Sequence, residues 1–153
     1  MSRSRLVAYA IAGVLALAGC GVPGAQPAGQ PAVRSVANAQ ADILRYADQT
    51  AVLVRSSLTN ATTEETPCGG GLFRVDGVYR MPLWITQHAR ARADLRNTWL
   101  ANKLPITRDS TTDGYLGAIS TVTPDGYTIE VVSVTPRPTA LALLVQSPCL
   151  RAP

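Results

Sequence analysis

Histidine and lysine are all but missing from this chain: among 153 residues there is one of each, His88 and Lys103, and aromatic residues make up only 5%. A zinc centre draws on several His and Cys side chains at short spacings, and one histidine with three scattered cysteines, Cys20, Cys68 and Cys149, offers no such spacing. No metal site is expected. A Ser-His-Asp set meets in space rather than in sequence, yet there is no Gly-x-Ser-x-Gly elbow to mark a nucleophile, and a lone histidine near a helix start is expected at the surface or in a cap. No Cys-x-x-Cys pair is present, which removes the usual redox-active dithiol. Asp109 and Asp113 lie close in sequence, but two acids are a weak calcium signal. No catalytic constellation stands out, so an enzyme ranks behind other readings.

Long apolar runs are also missing. The longest begins the chain, from Leu6 to Leu17, and as a helix its twelve residues would cover roughly 18 Å, short of a hydrocarbon core of about 30 Å. A basic start with Arg3 and Arg5, that apolar run, and then Ala18 and Gly19 have the three-part build of a cleaved secretory signal over residues 1–19. Leu17-Ala18-Gly19-Cys20 resembles the lipobox of bacterial lipoproteins at all four positions. The resemblance implies that the Cys20 thiol is alkylated by a diacylglycerol group and that cleavage leaves Cys20 as the new N-terminus. Two acyl chains hold a protein stably where one holds it marginally. The implied partner is the membrane, with the domain facing outside the cytoplasm. Thirteen arginines to one lysine suggest a GC-rich bacterial genome, and with the lipobox the chain resembles the small lipoproteins of actinobacteria. No activity is carried over from that resemblance.

Loss of the signal removes two arginines and lowers the formal net charge from +4 to +2. A nucleic-acid partner wants a concentrated basic face, and none is expected here. Residues 20–34 follow as lipidated cysteine and tether, with Pro23, Pro27 and Pro31 preventing a regular ladder. Residues 35–153 are read as a single extracytoplasmic domain, enough for one core.

Within it, apolar residues at helical spacing from Val36 predict an amphipathic helix capped by Ser35 and fading near Leu58. Residues 60–67 read as a loop, and the glycines after Cys68 as a close backbone approach. A phosphate cradle would need a strand before them and a helix after. Leu72 to Leu83 reads as a strand with a bend or bulge at Gly77. A second helix is expected from an N-cap at Thr86 to about Lys103, with Ala91, Leu95, Thr98, Trp99 and Asn102 inward. A short extended piece at 106–108 is followed by strands at 115–122, with Gly117 a candidate bulge, at 127–135 and at 139–146. Thr123-Pro124-Asp125-Gly126 is the turn between the first two of these. The fold class is therefore α+β: an antiparallel sheet of about four strands, two helices on one face, in the order α-β-α-β-β-β.

With Cys20 assigned to lipid, Cys68 and Cys149 are expected to form the one structural disulfide. Arg90, Arg92 and Arg96 give the second helix a basic character that could meet anionic lipid head groups. The leading expectation is a non-enzymatic, membrane-tethered interaction or accessory domain meeting another envelope protein or anionic lipid. The alternative is a carrier for a small or lipidic ligand held between sheet and helices, which a large apolar cavity would favour.

Overall fold

Ser35 opens the first helix, α1 (Val36–Leu53), as expected of a capping serine: its Oγ accepts the backbone N–H of Asn38 at 3.2 Å. The structure, a computed structural model, describes residues 34–112, 116–133 and 139–151, all within one compact unit spanning Pro31–Pro153. The expected signal, Cys20 and all of the expected tether but Arg34 lie outside the described residues, as do Asp113 and Pro136. The chain is α+β, with two helices and one seven-stranded antiparallel sheet.

After α1 come β1 (Thr59–Gly69), β2 (Leu72–Pro82), α2 (Ile85–Ala101), β3 (Ile106–Thr112), β4 (Leu116–Val122), β5 (Thr128–Ser133), β6 (Ala140–Gln146) and β7 (Leu150–Arg151). The sheet runs β1-β2-β6-β5-β4-β3, with β7 pairing β2 below the end of β6. Seven strands replace the expected four or so, and the observed order carries a whole β-hairpin before α2. The extra strands are the edges. β1 reads Thr-Asn-Ala-Thr-Thr-Glu-Glu-Thr and is exposed along nearly its whole length, so it has no apolar alternation to betray it. Its ladder with β2 is nevertheless nearly continuous from Thr62 to Gly69. β3 is equally polar and borders the opposite edge.

The glycines after Cys68 serve a turn. Gly70 and Gly71 have φ of +61° and +73°, the pair of positive values that a two-residue type I′ hairpin loop demands. A Cβ at either would meet nothing within 4 Å, so close approach is not their reason. Close approach does explain Gly77 and Gly117. A Cβ at Gly77 would lie 2.4 Å from Ile43 Cγ2, and one at Gly117 would lie 2.2 Å from the Ser110 carbonyl oxygen. Neither makes a bulge: β2 keeps unbroken register with β6 through Gly77, and Gly117 sits in register with Thr111.

Register shows that both helices cover one face. Gly77, Val145 and Ile129 lie in one cross-strand row, and Met81, Leu141 and Ser133 in another of the same parity; α1 packs Ile43 on Gly77, while α2 sends Arg92 to Ser133. Between helices and sheet, Ile43, Tyr79, Leu95, Trp99, Ile119, Val131 and Leu143 are buried in one apolar core. β6 is central, as its apolar residues on both faces predict.

Cys68 and Cys149 form the disulfide, 6.1 Å apart at Cα. The bridge joins the end of β1 to the residue before β7, and both strands meet β2 at Leu72 and Phe73 or next to them.

Candidate functional site

The helices part over one corner of the sheet and leave an apolar cleft of about 590 Å³. One wall is the middle and end of α1, including Tyr46, Thr50 and Leu53. The other is the end of α2, with Thr98, Trp99 and Asn102, continued by Leu104. Thr123 and Ile129 make the floor. Val52 on the rim is 72% exposed, an apolar side chain offered to solvent at the mouth.

Local chemistry sets this corner. Lys103, in the left-handed region at φ +59°, ends α2: its N–H reaches the Leu100 carbonyl and the Leu104 N–H reaches that of Trp99. This Schellman closure turns Leu104 back toward the cleft. Pro105, which cannot donate to a helix ladder, follows. On the other wall, the Tyr46 ring lies 5.2 Å from that of Tyr127, its hydroxyl donates to Asp125 Oδ1 at 2.7 Å, and the Arg45 guanidinium sits 4.1 Å above its face. Asp125 belongs to the Thr123–Gly126 turn, where Thr123 Oγ1 donates to its carboxylate and accepts the Tyr127 N–H. Burial works against charge on Asp125, but hydrogen bonds from Thr123 and Tyr46 outweigh it and hold its carboxyl below the usual carboxylate range.

Arg34, the first described residue, is fixed to the same corner. Arg34 pairs with Asp42 on α1, donates to the Tyr127 hydroxyl at 3.1 Å, and bonds through its backbone N–H to the Arg151 carbonyl. The Tyr127 hydroxyl donates to Asp42 at 3.1 Å. Tyr127 is wholly buried, and burial with the adjacent Asp42 carboxylate pushes its phenol up to about 12. Arg34 is thus clamped against Asp42 and Tyr127, close to the Tyr46 wall of the cleft.

The residues singled out from the sequence do not gather. His88 is fully buried, which corrects the expected surface or cap position. Its Nε2 lies 3.1 Å from the Leu83 carbonyl, so Nε2 carries the proton, and Nδ1 is buried with no hydrogen-bond partner. Burial lowers its pKa, and the positive charge of Arg92 adds to that. Neither ring nitrogen meets a carboxylate or hydroxyl, so His88 lacks the geometry of a general base in a triad. The helix that bears it begins two residues earlier than Thr86 predicts: Trp84 is the N-cap, its N–H bonded to Gln87 Oε1 and its carbonyl to the Gln87 N–H.

Arg92 is also buried and does not share an outward face with Arg90 and Arg96. It donates to Ser133 Oγ at 2.9 Å beneath Gly117. Arg90 is exposed and loosely paired with Asp94 at 3.8 Å, and Arg96 pairs with Asp109 at 3.1 Å. Among the described residues no group of three metal-ligating side chains occurs, and no helix is long and apolar enough to cross a membrane.

The cleft itself is not visible as a motif, because its lining comes from three separated segments. One signal was present: Thr98 stands half-buried on the inward side of α2, where an unbroken core would favour an apolar residue, and lines the cleft, whereas Asn102, expected inward with it, is the exposed C-cap and lines the cleft from there. Comparison with known proteins finds no match, neither a family model nor a curated protein nor a solved structure.

Proposed function

We propose that this chain is a lipoprotein anchored outside the cytoplasm through Cys20, and that its domain is a non-enzymatic binding module whose cleft between α1 and α2 takes an apolar ligand. The cleft carries the reading. At about 590 Å³ it falls within the usual size of small-molecule sites, and it has the expected chemistry of an apolar lining with a few polar groups at the rim. Tyr46, Leu53, Trp99, Leu104 and Ile129 would desolvate a hydrocarbon chain or ring, while Gln49 and Asn102 can hydrogen-bond a polar end. Burying each methylene there is worth about 0.8 kcal/mol.

The anchor rests on the four lipobox residues and the Pro-rich stretch after them, and the disulfide suits an oxidising compartment. Clamping of Arg34 beside Tyr127 would hold the cleft near the point where the tether leaves, which favours a ligand drawn from the same bilayer.

Titration of unlipidated Cys20→Ser protein with the fluorescent fatty acid cis-parinaric acid tests the cleft. Saturable binding is expected, lost in Val52→Asp, which charges the rim without touching the core, and in Thr98→Trp, which fills the cleft. Absence of saturable binding, or equal binding by all three proteins, would overturn the cleft assignment. Retention of Cys20→Ser in the membrane fraction with normal signal cleavage would overturn the anchor.

A further inference from the structure

The chain has two tryptophans, and they are placed in opposite ways: Trp99 is 3% exposed in the core, whereas Trp84 is 72% exposed. Tryptophan is ordinarily well buried. Trp84 also occupies the N-cap of α2, where Ser, Thr, Asp or Asn stabilises a helix by about 1 kcal/mol over a residue without an acceptor. Its indole can only donate. The position therefore forgoes a cap and exposes a large ring together, a local choice that stability does not explain.

The ring is presented from a rigid frame. Leu83, immediately before it, is buried in the core and bonds through its N–H to the Thr139 carbonyl, and the Pro82 carbonyl accepts from Ser56 Oγ. Reciprocal bonds with Gln87 fix Trp84's own N–H and carbonyl. Beside the ring, Pro82, Leu83 and Trp84 wall a recess of about 250 Å³. Through Gln87 it adjoins a more polar groove of about 330 Å³ that contains Arg55, Thr86, Arg90 and Asp94. The Gln87 amide oxygen is used by the cap, which leaves the amide N–H groups for a ligand.

We propose that Trp84 and these adjoining grooves form a saccharide-binding platform, separate from the apolar cleft and resting on no part of the cleft reading. A pyranose ring has an apolar C–H face and an edge crowded with hydroxyls. The C–H face lies on an indole, whose negative π face attracts the weakly positive hydrogens. The hydroxyl edge needs mixed donors and acceptors in a row, and amide, hydroxyl, guanidinium and carboxylate groups supply them here. A membrane surface is a poorer match, because Asp94 shares the groove and the only other exposed apolar side chain lining either hollow is the small ring of Pro82. Position agrees: the grooves include Val54 and Arg55 just past the end of α1, while Arg34 binds Asp42 in its first half, and the twelve residues from Asp42 to Val54 rise roughly 18 Å. The platform thus lies past the C-terminal end of α1, away from the Arg34 contact, where an envelope polysaccharide would be met.

The test is binding of the full lipidated chain, in detergent micelles, to a printed array of bacterial oligosaccharides, with vesicles of phosphatidylglycerol and phosphatidylethanolamine as a second arm. Wild type is expected to bind a subset of the glycans. Trp84→Ala is expected to lose about tenfold or more in apparent affinity with an unchanged thermal midpoint, since the ring packs on little; Arg90→Ala is expected to weaken binding less. No glycan bound above background, or equal glycan binding by wild type and Trp84→Ala, would overturn the proposal. So would a Trp84→Ala defect confined to the vesicles, which would make the indole a membrane anchor.

Discussion

Replacing both Cys68 and Cys149 with serine removes a cross-link at little cost in packing, since Cys149 is exposed and Cys68 half-buried. The stability change should therefore come mainly from the unfolded chain. The bridge joins positions 81 residues apart, and closing a loop of that size gives about 4.5 kcal/mol in the chain-entropy model. Against the 5–15 kcal/mol typical of a domain this is a large part of the whole. Without the bridge, β1 is held by one ladder along an exposed edge, and β7 by two residue pairs with β2. Urea unfolding followed by circular dichroism is expected to show a loss of about 3–5 kcal/mol, together with a steeper denaturant dependence, because the uncross-linked unfolded chain exposes more surface. A loss below about 1 kcal/mol with an unchanged slope would refute the reasoning. It would mean that the reduced unfolded chain already keeps these ends together.

Three further perturbations separate other contributions. Burial lowers the pKa of His88, so its contribution to stability is complete above the unfolded value of about 6.5 and is lost as pH falls below it. Urea midpoints measured from pH 7 to 5 should fall for wild type and fall less for His88→Gln, and equal slopes would contradict the burial of His88. Burial and the Asp42 carboxylate push the Tyr127 phenol up to about 12 in the fold, so stability should decline as pH rises above the unfolded tyrosine value of about 10, with a smaller decline in Tyr127→Phe measured by the same assay. Gly77→Ala would place a methyl 2.4 Å from Ile43 Cγ2 and is expected to cost about 1–3 kcal/mol by overpacking; Ile43→Leu, lacking that methyl, should recover part of the loss in the double variant, and additivity would show that the two sites are not in contact.

Much of the fold could be read from residue patterns where one face is buried and the other wet. The α1 stripe of Ala39, Ile43 and Ala47, the alternation of Ile129 and Val131, and the Thr123–Gly126 turn all stand as the spacing predicts. β1 could not be read that way, because an edge strand solvated on both faces has no period of two, and its Thr-rich sequence satisfies loop and strand criteria equally. Polar residues misled in the opposite direction in α2. His88 and Arg92 look like surface residues by type, yet the helix turns them inward, where the Leu83 carbonyl accepts from His88 Nε2 and Ser133 accepts from Arg92, while His88 Nδ1 stays buried without a partner; these contacts are not visible in the spacing of α2. Cys68 and Cys149 were legible because only two thiols remained once Cys20 was set aside. The cleft was not, since its lining is assembled by packing from separated segments rather than held in any one of them.

The central claim is that an acyl chain or similar apolar group lies between α1 and α2 against Trp99. It is tested most directly by the fluorescence of Trp99 in unlipidated Trp84→Phe protein titrated with 9,10-dibromostearic acid, whose bromines quench only at short range. Saturable quenching that disappears in Val52→Asp is the expected result. An unquenched Trp99, or quenching that rises linearly and is the same in Val52→Asp, would contradict the claim.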